Sequence, residues 1–353
     1  MIEERSMRTA PVLARALRGD RLESQHRGDV AVVDEEGHIL AAAGDPGRGI
    51  YLRSAAKPFQ AMPLLAAGGE KAFGLDNDDI ALMCASHGGE PRHVRVARRL
   101  LARGSYRVRD LECGPQLPMH EPSAFRLLAR GEKPSPLHNN CSGKHAGILL
   151  ACRLLGFSSA GYVEPGHPIE REILATVSRF CGVPSHSVGI AIDGCSLPVF
   201  HLPLAALARG YARLMAASLR GEGRRDGLVR RRIRDAMCGS PGMVAGRGRF
   251  TTDFLKVGSG RWIGKEGAEG VYAIGLASTG AGRKALGVAF KIEDGSTRAR
   301  DAVTLEVLAR LGVLLPDVER RLLRYRDPVL RNAAGRPVGR VEARVVLSMR
   351  NNP

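Results

Sequence analysis

Strand-patterned segments stand at the two ends of this chain, and a long stretch of helical pattern separates them. Near the N-terminus, Val30 to Val33 and His38 to Ala43 are apolar runs joined at Glu35-Glu36-Gly37, a spacing that predicts a β-hairpin. Near the C-terminus, Val271 to Leu276, Ala285 to Lys291 and Val341 to Leu347 are strand-like again, with helices expected at Ala302 to Leu311 and Val318 to Tyr325. Between the ends, helical spacing runs through Phe59 to Ala67, Asp78 to Ala85, Val94 to Ala102, Ala124 to Ala129, Gly143 to Leu155, Pro168 to Phe180 and Leu204 to Ala216. One strand-like run, Val188 to Ile192, interrupts it, and a basic helix is expected near Leu228 to Met237. A large sheet can form only if the two ends come together. The expectation is an α+β fold, with a mainly antiparallel sheet from the N-terminal hairpin and C-terminal strands, flanked by helices, and a helical middle region. No repeat or low-complexity linker divides the chain, so one domain is expected over residues 1–353, with sheet-containing parts at 25–53 and 243–353 and a mainly helical part at 54–242. Functional loops should lie where sheet and helices meet, including the glycine-rich stretches Gly258 to Gly260 and Gly264 to Gly270.

With 353 residues, 44% hydrophobic and 25% charged, the chain can fill one large or two modest cores. Glu3 and Glu4 near the start, and Arg15 within the apolar stretch Ala10 to Leu17, argue against a signal peptide. The longest apolar run, Ala146 to Leu155, is broken by Arg153 and is too short to span a bilayer, so a cytoplasmic location is expected and a membrane partner is not. Seven cysteines without regular spacing suit reduced thiols, a metal site or buried filler rather than a disulfide framework. A net charge of +17 would suit a polyanion, but the arginines are scattered. The densest cluster, Arg224-Arg225 with Arg230-Arg231-Arg232 and Arg234, reads as the solvated face of a helix. Aromatics are only 5%, too few for base-stacking platforms, so nucleic acid is not an expected partner.

Only 8 of the 53 basic residues are lysine. Arginine keeps its proton, whereas a desolvated lysine can lose its own and act as a base, so the positions of the few lysines carry information. Ser54-Ala55-Ala56-Lys57 sets a hydroxyl and an amine one turn apart, as an acyl-transfer centre needs; Pro58 argues that the pair sits on a tight first turn. Ser86-His87-Gly88-Gly89 offers a second nucleophile or proton relay at the end of a short helix. His138-Asn139-Asn140-Cys141-Ser142-Gly143-Lys144-His145 gathers amides, a thiol, an amine and imidazoles just before an apolar helix. Lys265, in Lys265-Glu266-Gly267-Ala268-Glu269-Gly270-Val271, sits in a glycine-rich turn entering a strand, where penicillin-recognising enzymes have Lys-Thr/Ser-Gly. Here Glu266 replaces the hydroxyl residue, and Ser-x-Asn and Tyr-x-Asn are absent, which argues against a β-lactamase. Each motif also has a plain structural reading: an N-capping serine with a surface lysine, a helix C-cap, a hydrogen-bonded asparagine turn. Cys141 and Cys195 alone would be half a zinc site.

In order along the chain, Arg53-Ser54-Ala55-Ala56-Lys57-Pro58-Phe59-Gln60, Cys84-Ala85-Ser86-His87, the Asn139-Asn140 block, Asp193-Gly194-Cys195, the Lys265 block and Lys291-Ile292-Glu293-Asp294-Gly295 resemble the bacterial asparaginase II family of serine-lysine asparaginases. The resemblance implies an L-asparagine amidohydrolase, a homodimer, with a fold like that of serine-dependent glutaminases and class A β-lactamases. It makes Ser54-Lys57 and Ser86-Lys265 the two catalytic Ser-Lys pairs. It makes Cys141, Lys144 and Cys195 the ligands of one zinc ion per chain, with water or substrate in the fourth position.

In such an enzyme one serine, Ser54 or Ser86, attacks the side-chain amide of asparagine, ammonia leaves, and water hydrolyses the acyl-enzyme to aspartate. Arg53, Asn140, His145, Asp193 and Glu269 are the candidates for holding the zwitterionic end of the substrate or the lysines. Among them Arg53 suits the α-carboxylate and Asp193 the α-ammonium. Two other readings stay open: a Ser-Lys hydrolase of glutamine, an ester, a peptide or a β-lactam, and a basic polyanion-binding protein on an inactive hydrolase scaffold.

Overall fold

The structure is a computed structural model and describes residues 9–219, 221–278 and 284–350; Glu3 and Glu4, on which the signal-peptide argument leaned, lie outside them. The twelve strands of the described residues are β1 (Val12–Arg18), β2 (Arg21–Asp34), β3 (Ile39–Ala43), β4 (Gly49–Tyr51), β5 (Gly189–Ile192), β6 (Pro198–Pro203), β7 (Trp262–Glu266), β8 (Val271–Leu276), β9 (Leu286–Ile292), β10 (Val329–Arg331), β11 (Pro337–Ala343) and β12 (Ser348–Met349). The main sheet runs β10-β11-β1-β2-β9-β8-β7, every pairing antiparallel, with β3 joining β2 to β12. The two ends of the chain therefore meet in β2 and β9, in register from Gly28 opposite Ile292 to Asp34 opposite Leu286. A second sheet, β4-β6-β5, stands in the helical region. The fold is α+β, as the alternation of patterns predicts.

Alternation along the central strands divides the core into two layers. Val30 and Val32, Tyr272, Ile274 and Leu276, and Val288, Phe290 and Ile292 face one apolar cluster with Phe250, Phe254 and Trp262. Ala31, Ala273 and Ala289 face the other, which contains most of the helices. These alanines are cross-strand partners, as are Val33, Gly287 and Gly275, so the helical face of the sheet is a track of small side chains. The helix Leu204–Met215 lies directly on it: a Cβ at Gly287 would fall 1.7 Å from the Ala208 carbonyl oxygen. Here glycine permits close approach rather than a turn.

Strand β1 departs from the sequence reading. Arg15 interrupts its apolar run, yet it points outward opposite Glu342 while Leu13, Ala14, Ala16 and Leu17 are buried. The strand expected at Val341 to Leu347 begins earlier, at Pro337, because β1 supplies its partner residues. The basic helix spans Arg224–Gly239 and is not wholly a solvated face. Arg230 is 2% exposed, pairs with Glu222, and donates to the Arg213 and Ala216 carbonyls at the C-terminal end of the helix Leu204–Met215, where a cation is favoured. Among the described residues no helix is long and apolar enough to cross a membrane.

Candidate active site

The chain leaves β4 into a 3₁₀ turn, Arg53–Ala56, and a short helix, Lys57–Gln60. Pro58 stands in the first turn of that helix, where a missing N–H costs nothing, and Ala55, Ala56 and Phe59 are buried beneath it. The Tyr211 hydroxyl donates to the Ala55 carbonyl at 2.8 Å and ties the turn to the helix on the sheet. The tight turn expected from Pro58 is thus present.

Lys57 does not turn toward Ser54. Its amine donates to the Ala85 and Asn140 carbonyls and lies 3.1 Å from Ser86 Oγ. Lys265 is on β7 itself, not in the following glycine-rich turn, and its Nζ lies 2.8 Å from the same Ser86 Oγ and 2.8 Å from the Glu266 carbonyl oxygen. Ser86 therefore joins the two lysines, while among the described residues Ser54 makes no hydrogen bond with Lys57. Ser86, Lys57 and Lys265 are buried, 6%, 1% and 0% exposed. Ser54 is half-buried and lines a cavity of about 330 Å³ with Arg53, Asn140, Cys141, Asp193 and Cys195.

Burial pushes the Lys265 amine well below its ordinary pKa; Glu266 opposes this, and Lys57 and Arg249 reinforce it. Burial thus favours the neutral amine at Lys265. Across the cavity Arg53 Nη2 lies 2.9 Å from Asp193 Oδ1, with Glu269 4.0 Å away. Burial opposes the Asp193 charge, but Lys144 and Arg53 outweigh it and hold the carboxyl below its usual range. Arg53, Glu269 and Ser196 have φ of 47°, 59° and 72°, three of the five non-glycine residues with positive φ among the described residues. Arg53 lines the cavity and the other two directly follow the lining residues Ala268 and Cys195, so strained backbone borders it.

Cys141 and Cys195 share the cavity wall, and Lys144, one turn into the helix Ser142–Leu155, lies behind them with Nζ 3.1 Å from Cys195 Sγ. The hydrogen bond with Cys195, against the cost of burial and aided by the amines of Lys57 and Lys144, holds the Cys141 thiol well below its usual range. Burial alone would lower Lys144, but the sulfurs of Cys195 and Cys141 outweigh it and raise the amine. Two sulfurs and an amine converging at the cavity wall, one sulfur already favoured as thiolate, suit a thiophilic cation such as zinc.

His145 is fully buried; its Nδ1 meets the Tyr162 hydroxyl at 2.7 Å and it is not part of the cavity wall. His87 Nδ1 accepts from Gly89 N–H at 3.1 Å, so Nε2 carries the proton and donates to Ser142 Oγ at 2.9 Å. His87 is thereby fixed as a strut between two loops, and burial keeps it neutral. Sequence reasoning gave no signal for Gln116, whose Oε1 accepts from Asn140 N–H, or for Cys113 in the cavity wall; Asn139, part of the asparagine block, lines the same wall.

Glu170 was equally silent. It is 2% exposed on the helix Pro168–Cys181, and among the described residues neither oxygen has a hydrogen-bond partner. Burial pushes its pKa up from 4.5 to about 8, with Lys144 opposing. A raised folded-state pKa means that stability from this group is complete below about 4.5 and is lost as pH rises through about 8. Glu170→Gln is expected to remove that loss. Its stability relative to wild type should rise by about 1.4 kcal/mol per pH unit across this window, read from urea unfolding at the two ends.

Residues 14–343 match the sequence model of the L-asparaginase II family. The chain belongs to the L-asparaginase II family. As a member of it, the protein is an amidohydrolase. No curated protein sequence matches it significantly. Among solved structures it is similar to a probable glutaminase from Bacillus subtilis complexed with 6-diazo-5-oxo-L-norleucine, at 12% identity over 81% of this chain and 84% of that one, TM-score 0.38. It is also similar to Mglu in its glutamate form, at 16% identity over 82% of this chain and 62% of that one, TM-score 0.35. Likenesses this distant assign no role to any residue of this L-asparaginase II family member.

Proposed function

We propose that the protein is an L-asparaginase in which Ser54 is the nucleophile and Ser86 the proton relay. The observation that carries this is the division of labour between the serines: Ser54 faces the cavity, whereas Ser86 is buried between the amines of Lys57 and Lys265. A nucleophile must touch the substrate; a relay must touch the bases. In attack, Lys57 swings from its resting acceptors toward Ser54, and the Ser54 Oγ–carbon bond forms as the Ser54 proton passes to Lys57, which gives one of its own to Ser86 while Ser86 gives its proton to neutral Lys265. The proton returns to the amide nitrogen, the C–N bond breaks, and ammonia leaves. Water then attacks the Ser54 ester and gives a proton to the same amines, which return it to Ser54 Oγ as the ester C–O bond breaks and aspartate leaves. At rest Lys57 makes no hydrogen bond with Ser54, so this reading assigns the swing of its amine to substrate binding.

Arg53 and Asp193 pair with each other at rest and present a cation and an anion to the cavity, the complement of an α-amino acid zwitterion. Arg53→Ala is expected to raise KM for L-asparagine by about 10²-fold, since a hydrogen bond to a charged group contributes about 1.5–3 kcal/mol, with a smaller change in kcat. Cys141, Lys144 and Cys195 would hold zinc at the cavity wall. Bound there, the ion would supply Lewis-acid polarisation or orientation of the substrate. The reading takes the enzyme as a cytoplasmic homodimer, checked by light scattering and fractionation. Its direct test is ammonia release by purified protein from L-asparagine and from L-glutamine, beside chromophore release from a chromogenic ester. Faster turnover of either alternative would make this a different acyl hydrolase.

A further inference from the structure

Glu266 stands where penicillin-recognising enzymes have threonine or serine, and the reaction above gives it no task. Its side chain is nonetheless heavily held. It is 4% exposed; Arg249 donates to one oxygen, Arg300 lies 3.3 Å from the other, and the Thr251 hydroxyl donates to that oxygen at 3.3 Å. The two arginines pull its carboxyl down to about 2 against the cost of burial, so it is charged.

Arg249, just before the helix Phe250–Gly258, reaches in two directions. Nη2 meets Glu266, while Nη1 donates to the carbonyl oxygens of Ser86 at 2.6 Å and Ala245 at 3.3 Å. Ser86 follows the helix Asn77–Met83, and Lys265 rides on β7 in the sheet. The Ser86–Lys265 hydrogen bond therefore spans two layers of the fold. Arg249 ties the serine's own peptide to the residue beside the lysine, and the Glu266 carbonyl takes a second hydrogen bond from that lysine.

We infer that Arg249 and Glu266 are a positioning pair: they set the distance between Ser86 and Lys265 and balance each other's charge beside the lysine amine. This rests on the reaction proposed above. Among the described residues, the groups facing Lys265 are Lys57 from the helix Lys57–Gln60, Cys84 at the end of the helix Asn77–Met83, whose thiol burial pushes up to about 12, Glu266 on its own strand, Arg249 from the segment before Phe250, and Cys141 ahead of the helix Ser142–Leu155, with Arg300 behind Glu266. Removing Arg249 leaves Glu266 less compensated, which favours the Lys265 ammonium. Removing the Glu266 charge leaves two arginines, which disfavours it. A neutral lysine base requires activity to rise with pH, so the two changes move the acid limb in opposite directions.

The experiment compares wild type with Arg249→Met, Arg249→Lys and Glu266→Gln, measuring kcat and KM for L-asparagine across the pH range. Arg249→Met is expected to lower kcat about 10²-fold with KM little changed, and to shift the acid limb to higher pH. Glu266→Gln shifts the limb to lower pH, and Arg249→Lys recovers part of the lost kcat. Glu266→Gln is nearly isosteric and carries the sign test alone if near-UV circular dichroism shows Arg249→Met misfolded. Limb shifts in one direction, or kcat within about threefold of wild type in both Arg249→Met and Glu266→Gln, overturn the inference. Wild-type protein without amide turnover contradicts the reaction and this inference with it; turnover with unmoved variants contradicts this inference alone.

Discussion

Ser54→Ala lowers kcat for L-asparagine about 10⁴-fold or more, whereas Ser86→Ala leaves a residual rate about 10²-fold below wild type. The asymmetry follows from where the hydroxyls sit. On the proposed reaction, removing Ser54 removes the atom that forms the acyl bond, and among the described residues no other hydroxyl lines the cavity to replace it. Removing Ser86 cuts the path between Lys57 and Lys265, but a water in the vacated space would restore part of the transfer. Steady-state ammonia release checks both. Equal losses would mean that the two serines act as one unit; the larger loss at Ser86 would reverse their roles.

On the proposed ligand set, Lys144→Met is expected to abolish zinc binding and, with it, the stability that the ion would contribute. Methionine approximates the length of the lysine side chain but replaces its amine with a weak thioether donor at the end of a buried stem. Wild-type protein is expected to carry about one zinc per chain and the variant close to none, measured by elemental analysis after exhaustive dialysis. A ligand that binds only the folded state stabilises it by about 3 kcal/mol at a hundredfold excess over Kd, so a chelator should lower the Tm of wild type and not of the variant. Because the resting amine is raised by the neighbouring sulfurs, zinc must displace its proton, and affinity should fall as pH falls. Equal zinc content in both proteins would remove Lys144 from the ligand set.

The sequence shows the helical middle and the central hairpin because their periodicity is set by burial: Val30 to Val33 are buried alternately by two core layers, and Leu204 to Met215 lies along the small-residue track of the sheet. It hides β1, because an outward arginine opposite Glu342 looks like an interruption. It hides β7, because Trp262 to Glu266 mixes glycine and charge in a strand that is buried throughout. At the site, the chemistry-bearing residue types were legible as motifs, but their partners were not. Three-residue spacing pairs Ser54 with Lys57; the fold carries the Lys57 amine to Ser86, which is 29 positions away. Arg249 left no mark because 45 of the 53 basic residues are arginine, and only tertiary contacts distinguish a strut from a surface charge. Much of that arginine excess serves pairing: Arg48, Arg99, Arg230 and Arg300 all form ion pairs with carboxylates in the fold.

The most direct test is to quench the enzyme with acid during turnover of L-asparagine and map the covalent aspartyl group by peptide mass spectrometry. The account predicts the added mass on the peptide carrying Ser54, at the hydroxyl that faces the cavity. An aspartyl group on Ser86, with Ser54 unmodified, would contradict it.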